Sequence, residues 1–268
     1  MIEMSHNHGY TFFEQPEDCL CKVEVEPSKV QLLEVFGSDL TVVNAARVSF
    51  SKEATQMDEK DIKLLRYLAK HNHVSPFFHP QIRFRLKMPI FVAREWYRHQ
   101  IGLARNEVSR RYVDSKVECW VPPIESLRER DPKLKQGSKA NPVSNAETVH
   151  AKIKDATDAA IQTYESLLAS GVAPEVARII LPQSMYTEFI ETGSLYAYAR
   201  ICNLRLDPGA QKEIRDYAQQ LSDLLSKAFP HSWAALQSQF PQEVKTEVKN
   251  EVVHEKIIPN HVPLNYIK

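Results

Sequence analysis

The spacing of apolar and polar positions changes several times along the chain, and each change marks a structural element. Residues 23–36 alternate imperfectly and include several β-branched positions, which favours strand, and residues 40–50 read as a second extended segment. Over 57–69 the spacing becomes helical: Ile62, Leu64, Leu65 and Leu68 recur with charges between them, an amphipathic helix that residues 71–76 end. Residues 81–87 then alternate Ile82, Phe84 and Leu86 with Arg83, Arg85 and Lys87, the period of a strand with one buried face. Pro89 suits the first turn of a helix over 90–96, so a strand runs into a helix and delivers Arg94 through His99 at the helix's far end.

Residues 125–145 show neither period and read as an exposed polar loop, an insertion within the domain. A helix over 146–169 closes at Ser170 and Gly171, and Pro174 opens a shorter one through Ile180. Residues 196–204 and 209–229 continue the helical half. Residues 243–255 alternate valine with charge but lack an obvious partner strand, so they read as a peripheral strand or tail. The pattern predicts an α/β fold: one mixed domain over 1–240, a strand core flanked by helices, with a charged tail over 241–268.

Composition narrows the classes. The 268 residues are 43% hydrophobic, enough for one sizeable core. Lysine plus arginine number 34, as do aspartate plus glutamate, so no global positive field draws the surface to nucleic acid or anionic lipid, and any phosphate site must be local. No basic region followed by an apolar run opens the chain and no stretch approaches membrane-spanning length, which sets a cytoplasmic expectation. Cys19, Cys21, Cys119 and Cys202 are too few and scattered for a disulfide framework. With seven glycines there is neither a GxGxxG nor a Walker loop, so any nucleotide is held by other means.

The densest chemical signal is Arg94-Glu95-Trp96-Tyr97-Arg98-His99-Gln100, followed after a spacer by Asn106-Glu107-Val108-Ser109-Arg110-Arg111-Tyr112. Arginine forks grip phosphate oxygens in pairs, and Ser109 with nearby backbone N–H groups adds a cradle without a glycine loop. The plain alternative is a solvated charged face. Against it stand the interleaved aromatics, the apolar helix that precedes the cluster, and the polar groups His99, Asn106 and Glu107. A nucleic-acid-binding module is a rival, using Arg94, Arg98, Arg105, Arg110 and Arg111 with stacking on Trp96, Tyr97 and Tyr112. A metal site from His71, His73 and His79 is another, but no firm fourth ligand is visible and no metal is expected.

The cluster resembles the signature of flavin-dependent thymidylate synthases: an Arg-His-Arg triplet, then Asn-Glu, then Ser, then Arg-Tyr. Further blocks appear in the family's order: residues 44–50, Ser75-Pro76-Phe77 with His79, residues 89–94, residues 177–182, and Asn203-Leu204-Arg205 with Ala210-Gln211, Glu213 and Ile214. The resemblance implies that Ser75, Arg98, His99, Gln100, Asn106, Glu107 and Arg200 lie against FAD. It also implies that Glu95, Arg98, Glu107, Val108, Ser109, Arg110, Arg111 and Arg178 surround dUMP. Arg205 would be the catalytic residue, its cation stabilising negative charge on the pyrimidine. The implied reaction converts dUMP to dTMP with 5,10-methylenetetrahydrofolate as carbon donor, FAD as hydride carrier and NADPH as reductant, in a homotetramer whose subunits share sites.

This chain departs from the pattern at named positions. Gln100 stands where the triplet usually ends in arginine, Glu95 where glutamine is commoner, Phe78 where a polar residue is usual and Gly209 where histidine is frequent, and Arg200 alters another flavin-lining position. The spacer 101–105 is one residue longer, which leads us to expect Arg105 to reach back and supply the charge missing at Gln100.

Overall fold

The computed structural model describes residues 29–112, 116–133 and 137–237. Strand β1 (Lys29–Phe36) pairs with β2 (Gln81–Pro89), β2 with β6 (Tyr186–Ser194) and β6 with β3 (Leu103–Glu107), all antiparallel. The predicted alternation in β2 holds: Ile82, Phe84, Leu86 and Met88 are buried, and Arg83 and Arg85 point outward. Between Leu32 and Glu34 the β1 register shifts, as a bulge does.

Helix α1 (Asp39–Arg47) and a 3-10 turn (Val48–Phe50) occupy the segment that the sequence pattern reads as extended. The β-branched run Thr41-Val42-Val43 imitates a strand, yet the buried positions Asp39, Val42 and Val43 follow helical spacing. The Ser38 N–H donates to Thr41 Oγ1 at 2.9 Å and pins the first turn. Helix α2 (Glu59–Lys70) matches its prediction and starts on a reciprocal cap, Asp61 N–H to Asp58 Oδ1 at 2.8 Å and Asp58 N–H to Asp61 Oδ2 at 3.1 Å.

Helix α3 (Ile90–Trp96) follows β2 directly, as Pro89 predicts. A second departure comes next: the stretch expected to be an exposed loop contains a hairpin, β4 (Arg128–Arg130) with β5 (Ser138–Pro142). Arg128 docks it, donating through Nε to Ser138 Oγ and through Nη2 to Glu213, both at 2.8 Å. Helix α4 (Ala146–Ala169) and the short α5 (Pro174–Ala177) pack around a small second core of Val117, Tyr164, Ala177 and Met185.

β6 leads without a loop into α6 (Leu195–Arg205), whose N-cap Ser194 accepts from the Ala197 N–H at 3.2 Å. Helices α7 (Lys212–Ala228) and α8 (Pro230–Gln237) complete the layer over the sheet. The main core joins the apolar face of β2 and Phe189 of β6 to Trp96, Tyr198, Leu221, Leu225, Phe229 and Trp233. The mixed α/β expectation is met. The alternating 243–255 segment, Cys19 and Cys21 lie outside the described residues, and no helix within those is long and apolar enough to cross a membrane.

Candidate functional site

Two helices end at the same place. α3 stops at Trp96, and its C-terminal turn carries Glu95, Arg98 and His99; α6 stops at Arg205. Between them Arg205 is held at three points. Its Nε donates to His99 Nε2 at 2.9 Å, Nη1 donates to Glu95 Oε1, and Nη2 reaches the Glu95 carbonyl at 3.3 Å. Burial, followed by the cations of Arg205, Arg105 and Arg200, holds the His99 imidazole down to about 4, so it is neutral at physiological pH. Because its Nε2 accepts from Arg205, the ring proton sits on Nδ1.

A cleft of about 1360 Å³ opens beside this group, bounded by the α6–α7 turn, by Glu95 and Arg205, and by Arg128 and Lys139 of the hairpin. The hairpin is therefore a wall of the cleft, a role its aperiodic sequence did not signal. The Glu213 carboxyl behind it feels burial, which raises its pKa, but hydrogen bonds from Arg128 and Gln211 outweigh this and the net shift is downward.

Strand β3 brings the next group. Arg105 does not turn back toward Gln100; it forms an ion pair with the fully buried Glu191 and lies over the Tyr97 ring at 5.3 Å. Trp96 Nε1 donates to both Glu191 oxygens, at 3.2 and 3.3 Å. Glu191 and Thr187, which donates to Glu107 Oε1 at 2.5 Å, were missed by the sequence reading. The signal for Glu191 was a charged residue at the inward parity of a strand, facing Arg105 across the β3–β6 register.

The remaining candidates lie elsewhere. Ser109 Oγ accepts from the Arg111 N–H at 3.3 Å, Arg110 donates to the Lys116 carbonyl at 3.3 Å, and Arg111 pairs with Glu175 of α5 at 3.4 Å, three residues before Arg178. Neither Ser109, Arg110, Arg111 nor Arg178 lines the Arg205 cleft. Ser75 is exposed at the start of a 3-10 turn (Ser75–Phe78) that buries Pro76 and Phe77 and whose Phe78 ring packs on Tyr196 of α6 at 5.2 Å. Val108 and Asn106 are exposed at the end of β3, and Arg98, Gln100 and Arg200 are exposed around His99.

Cys202 is fully buried and burial pushes its thiol well up; burial also raises the Cys119 thiol. Neither is a thiolate at neutral pH. Trp96, proposed as a stacking platform in the nucleic-acid alternative, is fully buried, and Arg105 is committed to Glu191. Tyr97 packs edge-on against Phe189 at 5.0 Å. Among the described residues no three metal-capable side chains converge, and His71 and His73 pack with Tyr67.

A family model described as thymidylate synthase complementing protein matches residues 31–231. The chain is 39% identical over 206 residues to a flavin-dependent thymidylate synthase of Thermotoga neapolitana, covering 77% of this chain and 89% of that protein. It is 34% identical over 251 residues to one from Ehrlichia ruminantium, covering 90% and 84%. Among solved structures, a UMP/dUMP methylase, PolB from Streptomyces cacaoi bound with 5-Br dUMP, superposes with a TM-score of 0.72 at 31% identity, over 80% of this chain and 95% of that one.

Proposed function

The chain belongs to the family of flavin-dependent thymidylate synthases, and from that premise we propose that it methylates dUMP to dTMP around Arg205, with reduced FAD as hydride donor. The observation that carries the assignment of the reacting centre is the three-point hold on Arg205 at the wall of a cleft large enough for a nucleotide. A guanidinium fixed in place is suited to stabilising charge on a pyrimidine and poorly suited to being a base, since it does not deprotonate.

The residues fit a flavin. Arg98 and Arg200 present exposed guanidinium groups beside the neutral His99, and among the described residues neither has an ion-pair partner, which leaves both free for the diphosphate of a dinucleotide. With Ser75, Gln100, Asn106 and Glu107 they form the set we assign to FAD, which when bound supplies the hydride. His99 keeps a proton on Nδ1 and an acceptor turned to Arg205. The protonated state of both described cysteines agrees with a route that uses no thiolate.

For dUMP we assign Arg178, Ser109, Arg110 and Arg111, with Val108 and Glu107, as the phosphate and sugar contacts. These residues stand apart from the Arg205 cleft within one chain, and Ile179 (79% exposed) and Tyr112 (77% exposed) beside them leave apolar surface open. Both features support a homotetramer in which one subunit's arginines complete another's cleft. We further propose 5,10-methylenetetrahydrofolate as carbon donor, NADPH as reductant and a cytoplasmic setting.

The test is anaerobic turnover of the purified protein with FAD, NADPH, methylenetetrahydrofolate and dUMP, following dTMP by chromatography. Wild type forms dTMP and Arg205→Ala loses most of the rate. Flavin binding without dTMP would overturn the reaction assigned; full activity in Arg205→Ala would overturn the role of Arg205.

A further inference from the structure

We propose that Glu95 is a positioning residue for Arg205: its carboxylate and its carbonyl, together with His99, fix the guanidinium so that the two remaining N–H groups are presented to the pyrimidine. This rests on the reading of Arg205 as the group that acts on the ring. Arginine has five N–H donors. One is taken by His99 Nε2, one by Glu95 Oε1 and one by the Glu95 carbonyl, which leaves one each on Nη1 and Nη2.

A carboxylate beside an anionic nucleotide repels it unless a cation neutralises the charge. Here Arg205 does so, and the oxygen of Glu95 is spent inside the protein. An exposed ion pair between flexible side chains contributes little at most sites. This one differs in two respects. The side chains are only 17% and 29% exposed, and the guanidinium is also anchored by a backbone carbonyl and a neutral imidazole. Arg205 ends α6, whose negative C-terminal end favours its cation. The glutamine that is commoner at this position keeps one acceptor oxygen but no charge. In this chain the hold on Arg205 is ionic.

The experiment compares kcat and KM for dUMP in the FAD-loaded wild type, Glu95→Gln, Glu95→Ala, Arg205→Ala and the Glu95→Ala/Arg205→Ala double variant, using single-turnover rates where turnover is slow. Glu95→Ala lowers kcat by roughly ten- to a hundredfold through misplacement of the guanidinium, while KM for dUMP moves less than about threefold. Glu95→Gln, which keeps an acceptor oxygen, recovers much of the loss, and the double variant is no slower than Arg205→Ala. If Glu95→Ala does not fold, Glu95→Gln carries the comparison with a few-fold fall in kcat. A raised KM with intact kcat makes Glu95 a substrate contact and overturns the proposal, as do losses in the double variant that multiply. An active Arg205→Ala overturns instead the underlying reading of Arg205, whatever Glu95 does.

Discussion

Replacing Arg105 with methionine tests how the buried pair beneath the site is balanced. Glu191 is fully buried, and without Arg105 its carboxylate keeps only the Trp96 indole N–H. Breaking a buried pair by removing one partner costs about 3–5 kcal/mol, a large share of a stability of about 5–15 kcal/mol. The pH dependence carries a sign. Burial raises the Glu191 pKa above 4.5 despite Arg105, so the folded chain holds this proton more tightly than the unfolded chain. Stability from this group therefore falls as pH rises from the ordinary carboxylate value through the raised one. Arg105→Met pushes the upper limit higher, so the variant's deficit is small in mild acid and grows toward alkaline pH. Urea unfolding at fixed protein concentration across that range reads the deficit, and Arg105→Met/Glu191→Leu recovers most of it. A deficit independent of pH, or none at neutral pH, would refute the reasoning.

The His99 imidazole has the opposite sign: with its pKa lowered from 6.5 to about 4, the unfolded chain takes the proton first. Stability falls as pH drops through that window, and His99→Gln flattens the slope in melts recorded across it. A Cβ at Gly193 would sit 2.4 Å from Leu103 Cδ2, 3.1 Å from the Gly102 carbonyl and 3.2 Å from Tyr198 Cε2. Leu103 can move but the carbonyl cannot, so Gly193→Ala costs about 1–3 kcal/mol in a thermal or denaturant melt. The Asp39 carboxylate accepts from the His231 and Ser232 N–H groups at 2.9 and 2.8 Å, capping α8 from the start of α1. Asp39→Ala costs about 1–2 kcal/mol and raises amide exchange in α8 first.

Where one face of an element decided its fate, the sequence was readable. β2, α2, α3 and α4 each show a single unmixed period with a proline, cap or glycine at an end, and each forms close to its expected bounds. α1 was misread because β-branched side chains resemble a strand when the helical spacing of a nine-residue element is short of three turns. β6 buries Thr187, Glu191 and Gly193, so its inward face is not apolar, and only its partners make it a strand. The site was legible as residue types in a family order, and Arg205, Glu95 and His99 do converge. That Arg105 serves Glu191, and that the hairpin walls the cleft, depended on pairings across 86 and 85 residues that no local pattern carries.

The strand order has a consequence for how the protein is made. β2 pairs on one side with β1, which precedes it, and on the other with β6, which emerges about a hundred residues later. Until then the ribosome-bound chain carries an unpaired strand edge and an uncovered apolar face of Ile82, Phe84, Leu86 and Met88. Non-local pairing of this kind is slow and prone to association between nascent chains. Glu95 and His99 wait equally long, since Arg205 lies 110 and 106 residues downstream of them. The proposed reacting centre is thus among the last features to form during synthesis, and a chain released between residues 200 and 205 carries every residue we assign to FAD with no guanidinium at the centre.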